Sequence, residues 1–343
     1  KLKKLILQTL FLYIFLLTTP SISLEKYFKG ESVSNYFSGI ISLQNNKYTE
    51  SYNFLKNLEN FEDDHSEYSY AYLNTLVNNS RINEAFRYSN KLKKKGINFF
   101  QSDIIIISKL IKNKNFRDIH RYLTSTNTKD YTSLQQLISK IILNWTELEK
   151  SNLTYNEAKE IFNQISPKYK NIKRINDIFL NCYFDTLETE KKFQNLINDQ
   201  TTDFSRYTYF YVNYLLKKES SQKAHSILNL KLQDAPRNLL LNQVNLDLKL
   251  KKQKYLQNIF DCKNISNVIA ELFYITANAL STQGLYSFSN FYINLAKYLN
   301  QNFPSYNTLL AENFIMVGEY QKAEEIYLTQ KKLGKYYEWY SSK

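Results

Sequence analysis

The 343-residue chain is 43% hydrophobic and 15% aromatic, enough to build a core and to exclude wholesale disorder. Six Gly and four Pro are too few for a fold of many tight turns, which favours an all-α protein. The formal net charge of +13 is spread along the whole chain, so it marks a composition rich in Lys and not a nucleic-acid surface.

At the N-terminus Lys1, Lys3 and Lys4 precede an apolar run from Leu5 to Leu17, broken by Gln8 and Thr9. Ser21 and Ser23 then stand three and one residues before a cleavage point ahead of Leu24. Basic, apolar, then small is the order of a secretory signal peptide, so residues 1–23 are expected to direct export. The run is short for a membrane span, and no Cys follows it to carry a lipid. The alternative is an uncleaved anchor, giving peripheral membrane contact through the N-terminus.

A period of 34 residues follows. The turns Asn45-Asn46-Lys47-Tyr48, Asn79-Ser80-Arg81-Ile82 and Asn113-Lys114-Asn115-Phe116 each open a second helix, at 48, 82 and 116. Ser221 and Tyr255 repeat the step, as do Tyr286 and Tyr320, while the stretch between has a clear unit at Tyr155 and a degenerate one near Glu190. Three residues after each turn residue stands a small side chain, at Ser51, Ala85, Ala158, Ala224, Ser289 and Ala323, where two helices can approach closely. A matching slot on the first helix holds Gly39, Ala277 and Ala311. Ile119 and Asn258 break the small-residue rule. Apolar residues recur at helical spacing between the slots, as at Ile315, Ala323, Ile326 and Tyr327. Pro236 marks a helix end.

These units resemble tetratricopeptide repeats. The resemblance covers about residues 31–330, is clearest at 31–95 and 270–330, and is degenerate at 165–200. It implies an α-solenoid over residues 24–343, a right-handed superhelix of eight or nine helix–turn–helix hairpins. With its signal, the layout also resembles envelope-directed tetratricopeptide proteins of Gram-negative bacteria, which implies a periplasmic location. Residues 335–343 begin a helix with Tyr336, Tyr337, Trp339 and Tyr340 crowded together and offer no polar cap, so the repeats are expected to continue.

In such repeats the first helices line a concave groove that takes a peptide. On that register Ser66-Glu-Tyr-Ser-Tyr70-Ala-Tyr-Leu-Asn74 echoes Ser205-Arg-Tyr-Thr-Tyr209-Phe-Tyr-Val-Asn213, and Glu271-Leu-Phe-Tyr274-Ile-Thr-Ala-Asn278 keeps the Tyr–Asn pair. Tyr and Asn four apart share a helix face. An Asn amide can pair with any peptide backbone, and Tyr offers a rigid apolar face with a polar tip. Tyr70, Asn74, Tyr209, Asn213, Tyr274 and Asn278 are therefore the groove candidates, with Tyr68, Tyr72, Tyr207 and Tyr211 assigned to the core.

Catalytic signatures are missing. The six glycines stand too far apart for a phosphate-cradling loop. His65, His120 and His225 have no His or Cys partner at ligand spacing, and Asp63/Asp64 fit a helix cap. Cys182 and Cys262, 80 positions apart, make neither a disulfide framework nor a metal site; buried free thiols are expected, with a single bridge open in an oxidising compartment. The expectation is a non-enzymatic scaffold in the cell envelope with a protein or peptide partner, no cofactor, no metal and no nucleic acid. The alternative is the solenoid arm of a larger machine that acts on or exports glycans.

Overall fold

The computed structural model describes residues 30–58, 61–199 and 201–341, and the expected signal peptide at 1–23 lies outside them. Among the described residues there are twenty α-helices, one short 3-10 turn at Pro167–Tyr169 and no strand. Consecutive helices pair. The first four pairs are α1 (Gly30–Gln44) with α2 (Tyr48–Leu55), α4 (Ser66–Asn78) with α5 (Ile82–Lys94), α6 (Phe100–Lys112) with α7 (Phe116–Ser125), and α8 (Ser133–Ser151) with α9 (Tyr155–Asn163). A short α3 (Phe61–Asp64) precedes the second pair. Next come α10 (Lys170–Phe184) with α11 (Thr189–Ile197), α12 (Ser205–Lys217) with α13 (Ser221–Asp234), and α14 (Leu239–Lys249) with α15 (Gln253–Gln257). The last pairs are α16 (Ile265–Ser281) with α17 (Tyr286–Leu299) and α18 (Ser305–Met316) with α19 (Tyr320–Lys331), followed by α20 (Lys335–Ser341).

One local device makes all nine turns. Asn46, Ser80, Lys114, Asn152, Asp185, Glu219, Lys251, Gly284 and Gly318 all have positive φ. Each is followed by a residue whose backbone N–H reaches five residues back, as Lys47 does to Ser42 O (2.8 Å) and Glu319 to Phe314 O (2.9 Å). This is the Schellman closure, which satisfies carbonyls that the end of the helix leaves bare. A chain poor in glycine places a left-handed L-residue at seven of these turns, and only two of the seven are Asn.

The helices of a pair meet at the small residues read from the sequence. Ala85, Ala158, Ala224, Ala277, Ala311 and Ala323 are at most 2% exposed. Ser51 Oγ donates to Gly39 O (2.9 Å), and Ser289 Oγ makes the equivalent bond to Ala277 O (2.8 Å). A Cβ on Gly39 would stand 2.4 Å from Leu55 Cδ2, and Leu55 is itself fully buried with nowhere to swing. Gly39→Ala is therefore expected to cost about 1–3 kcal/mol, read as a lower urea midpoint with an unchanged slope; an unchanged midpoint would show that α1 and α2 can separate freely.

The irregular units explain themselves. Ile119 fills its slot at 0% exposure, so pair three takes a larger residue there. In pair seven the expected register is wrong. The turn residue Lys251 comes 32 positions after Glu219, not 34, which moves the slot to the buried Leu256 and leaves Tyr255 and Asn258 exposed.

The nearest-neighbour picture of a linear repeat array fails where the chain folds back, and again where α20 packs on α14 of pair seven. The eighth pair packs against the first helices of pairs two to four: α17 on α4 and α6, α16 on α6 and α8. Nine of the fourteen residues of α17 are buried as a result. The junction is apolar with polar ties. Asn290 Nδ2 donates to Tyr48 Oη (3.0 Å), Asn313 Nδ2 to Asn290 Oδ1 (2.8 Å) and Asn294 Nδ2 to Asn78 Oδ1 (3.3 Å). Lys112 Nζ donates to Leu299 O (3.2 Å) and Lys322 Nζ to Asn46 O (3.0 Å). Buried amides left unpaired here would cost more than these bonds return, so the ties fix the register of the fold-back.

A disulfide joins Cys182 to Cys262, with Cα atoms 5.9 Å apart. The expectation of free thiols is thus corrected: the fold carries α10 and the segment leading into α16 to bridging distance, and spacing along the chain could not reveal it. The bridge links pair five to the start of pair eight.

Candidate functional site

The three Tyr–Asn pairs occupy one repeat position. Tyr70, Tyr209 and Tyr274 each stand ten residues before the positive-φ turn residues Ser80, Glu219 and Gly284, and Asn74, Asn213 and Asn278 stand six before them. Their surroundings differ because the chain covers the three faces differently. Tyr70 is half-buried, with its ring 6.3 Å from that of Phe288 on α17, and the buried Asn74 donates within its own helix to Tyr70 O (2.9 Å). Tyr209 is 2% exposed and stacks on Phe303 at 5.1 Å, its hydroxyl buried without a partner. Asn213, equally buried, donates to Leu256 O on α15 (2.6 Å). Asn278 alone among the three asparagines is exposed, and Tyr274 is partly so. Of the residues assigned to the core, Tyr68, Tyr207 and Tyr211 are buried and Tyr72 is half-buried.

Tyr274 and Asn278 line an open recess of about 220 Å³. Its walls come from the first helices of successive pairs and from the helix after them: Ser205 and Arg206 on α12, Leu240 on α14, Thr308, Leu309 and Glu312 on α18, and Tyr337 on α20. Asn238, which caps α14 by accepting from Leu241 N–H (3.1 Å), adds its amide, donating to Ser205 Oγ (3.1 Å).

The floor is an ion pair set among aromatic rings. Arg206 donates from Nε to Glu271 Oε1 (2.9 Å) and from Nη2 to Oε2 (2.7 Å), and Tyr207 Oη donates to Oε1 (3.3 Å). The two side chains are 14% and 0% exposed. The guanidinium lies 3.6 Å from the ring centroid of Tyr274 and 4.1 Å from that of Phe303. Burial pushes the Glu271 carboxyl above the usual carboxylate range, and the Arg206 charge with its two hydrogen bonds pulls it back. Burial also raises the Tyr274 hydroxyl; Arg206 lowers it, while Glu271, Glu312 and Asp203 raise it further. Tyr274 is thus a neutral phenol at physiological pH, with its hydroxyl able to donate or accept.

Nothing in the sequence reading pointed to Arg206 or Glu271. A signal existed inside the echo itself, since the residue thirteen before the turn is Glu67, Arg206 and Glu271 in the three copies. One basic residue in an otherwise acidic position marks a pairing between copies, but only the fold shows which copies meet.

The histidines do not gather. His120 Nε2 sits 2.8 Å from Glu147 Oε2, and among the described residues no group of three or more His, Cys, Asp or Glu side chains could hold a metal ion. No described helix is long and apolar enough to cross a membrane. No protein-family model matches the chain, and no curated protein matches it.

Proposed function

We propose that this chain is a tetratricopeptide-type solenoid, folded back on itself, that serves as a binding scaffold and accepts an extended peptide segment of a partner protein in the recess around Tyr274 and Asn278. The observation that carries the reading is that the recess draws its walls from the first helices of successive pairs, the face that such repeats present to a peptide. Its chemistry suits a main chain. Asn278 offers an exposed amide that donates and accepts, Thr308 and Ser305 supply hydroxyls, and Leu240 and Leu309 give apolar contact between them. The equivalent faces of pairs two to four are occupied by the chain's own eighth pair, which confines the proposal to the C-terminal recess.

Export to the periplasm is proposed alongside. The order of basic, apolar and small residues at positions 1–23 supports it, and so does the Cys182–Cys262 bridge, which persists in an oxidising compartment and is rare in a reducing one.

A photo-crosslinking residue placed at position 278 tests the site, with one at Lys94 on the exposed end of α5 as the control. A partner captured from the envelope fraction through 278 and not through 94 is expected. Capture through 94 alone moves the binding surface away from the recess. The Asn278→Ala variant is expected to bind that partner about three- to tenfold more weakly, the value of one or two neutral hydrogen bonds.

A further inference from the structure

Two open recesses flank α20, and both lie against α14. One, of about 510 Å³, has Pro236, Leu239 and Asn242 on the α14 side and Lys335 and Tyr336 on α20. The other, the recess around Tyr274 and Asn278, has Asn238 and Leu240 on the α14 side and Tyr337 on α20. Leu239 and Leu240 are neighbours in sequence, as are Tyr336 and Tyr337, so α20 crosses a single groove at the start of α14 and divides it. It sits there as a bound segment would. The Tyr336 N–H donates to Gln243 Oε1 (3.0 Å), and that amide, 2% exposed, is held in turn by its own bond to Asp247 Oδ1 (3.0 Å). A side-chain amide on a first helix thus takes up a main-chain N–H. Tyr337 is the next residue and is 5% exposed. Residue 334 is glycine where the approach is closest: a Cβ there would stand 2.3 Å from Gln243 Cδ. The anchoring is slight. Seven residues are too few to hold a helix by themselves, and the Lys331–Glu338 ion pair is exposed at both ends and adds little.

Resting on the peptide-scaffold reading above, we infer that α20 is an internal strap across the binding groove, which the partner segment displaces, setting an aromatic side chain of its own in the place of Tyr337. With α20 lifted, the two recesses join into one groove running from Pro236 to Asn278. The Gln243 amide is then released to a new main chain, with Asn278 further along the same groove. A segment that brings no aromatic group leaves the Tyr337 site unfilled, and one that brings no main-chain donor leaves the Gln243 oxygen unpaired; each omission costs affinity. The strap also sets a threshold. Apparent affinity falls by the fraction of chains in which α20 is open, so weak segments are excluded while well-matched ones bind.

Peptides selected on the full chain from a phage-displayed random library, then made synthetically, test this. They are measured against wild type, Asn278→Lys, Gly334→Ala (whose added methyl pushes α20 off Gln243) and a locked chain. The lock is a short bis-maleimide link between Arg237→Cys and Lys335→Cys, two exposed positions on one recess, and the native cysteines are already bridged. Expected are peptides that share an aromatic position, bind Gly334→Ala about tenfold more tightly than wild type and bind the locked chain at least tenfold more weakly. Hydrogen exchange of wild type gives a readout that needs no variant: a bound peptide should slow exchange in α14 and speed it in α20. Peptides that lose binding to Asn278→Lys, yet bind the locked chain as well as wild type or slow exchange in α20, overturn the strap and leave the scaffold standing. If no selected peptide is sensitive to Asn278→Lys, the recess as a peptide site is overturned and the strap with it.

Discussion

Replacing Arg206 by Met is expected to destabilise the protein by about 3–5 kcal/mol, because it strands a buried carboxylate. Glu271 is 0% exposed and takes two hydrogen bonds from Arg206 and one from Tyr207. In the variant the carboxyl keeps its burial and loses the cation that holds it down. Its folded pKa, already raised, rises further above the unfolded value of about 4.3. The sign follows from proton binding: between those two values the folded state binds more protons than the unfolded one, so stability falls as pH rises. The deficit relative to wild type should be smaller at pH 5 than at pH 7 in urea unfolding. The double variant Arg206→Met, Glu271→Leu should recover most of the loss, since replacing a buried pair by apolar residues is often neutral or better. Equal deficits at the two pH values, with no recovery in the double variant, would mean that lost packing of the guanidinium against Tyr274 and Phe303 causes the effect.

Reducing the Cys182–Cys262 bridge is expected to cost about 4 kcal/mol, the scale for closing a loop of this length in the unfolded chain. The bridged residues are 80 apart in sequence. Both cysteines are buried, at 6% and 5% exposure, beside the pairs Lys218–Asp185 and Lys217–Asp261. The comparison is the urea midpoint of the oxidised chain against the chain in reductant, with Cys182→Ala, Cys262→Ala as a second reduced state. The loss should be unequal along the chain. Limited proteolysis of the reduced form is expected to cut first between α15 and α16, where the bridge anchors the entry to pair eight. An intact mass two daltons above the bridged value for the untreated protein would show that the bridge does not form in the cell.

Several features followed from local rules, and these were legible. Helix, turn and close-packing slot recur at steps of 32 to 38 residues, four of the eight steps being 34, because each depends on residues within a few positions: a helical stripe, a Schellman closure and a small residue opposite another helix. That is why Ser51, Ala85, Ala224, Ser289 and Ala323 were placed from the sequence and lie buried. The same locality explains the slip in pair seven. Tyr255 offered an aromatic at the right interval, but the chain between the turns at Glu219 and Lys251 is two residues shorter, and the period carried no information about that deletion.

The sequence by itself determined an all-helical chain, the repeat register outside pair seven and the set of Tyr–Asn positions from which a site could be drawn. Only the tertiary structure decided which of those positions is open. Asn74, Asn213 and Asn278 are equivalent along the helix, yet α17 covers the first face, α15 takes up the second and the third lines the recess. The pairings of Arg206 with Glu271 and of Cys182 with Cys262 were decided at the same level. The physical reason is range. Helical periodicity and turn chemistry act within one pair, while the fold-back brings together residues as far apart as Asn46 and Lys322, whose contact leaves no periodic trace in either segment.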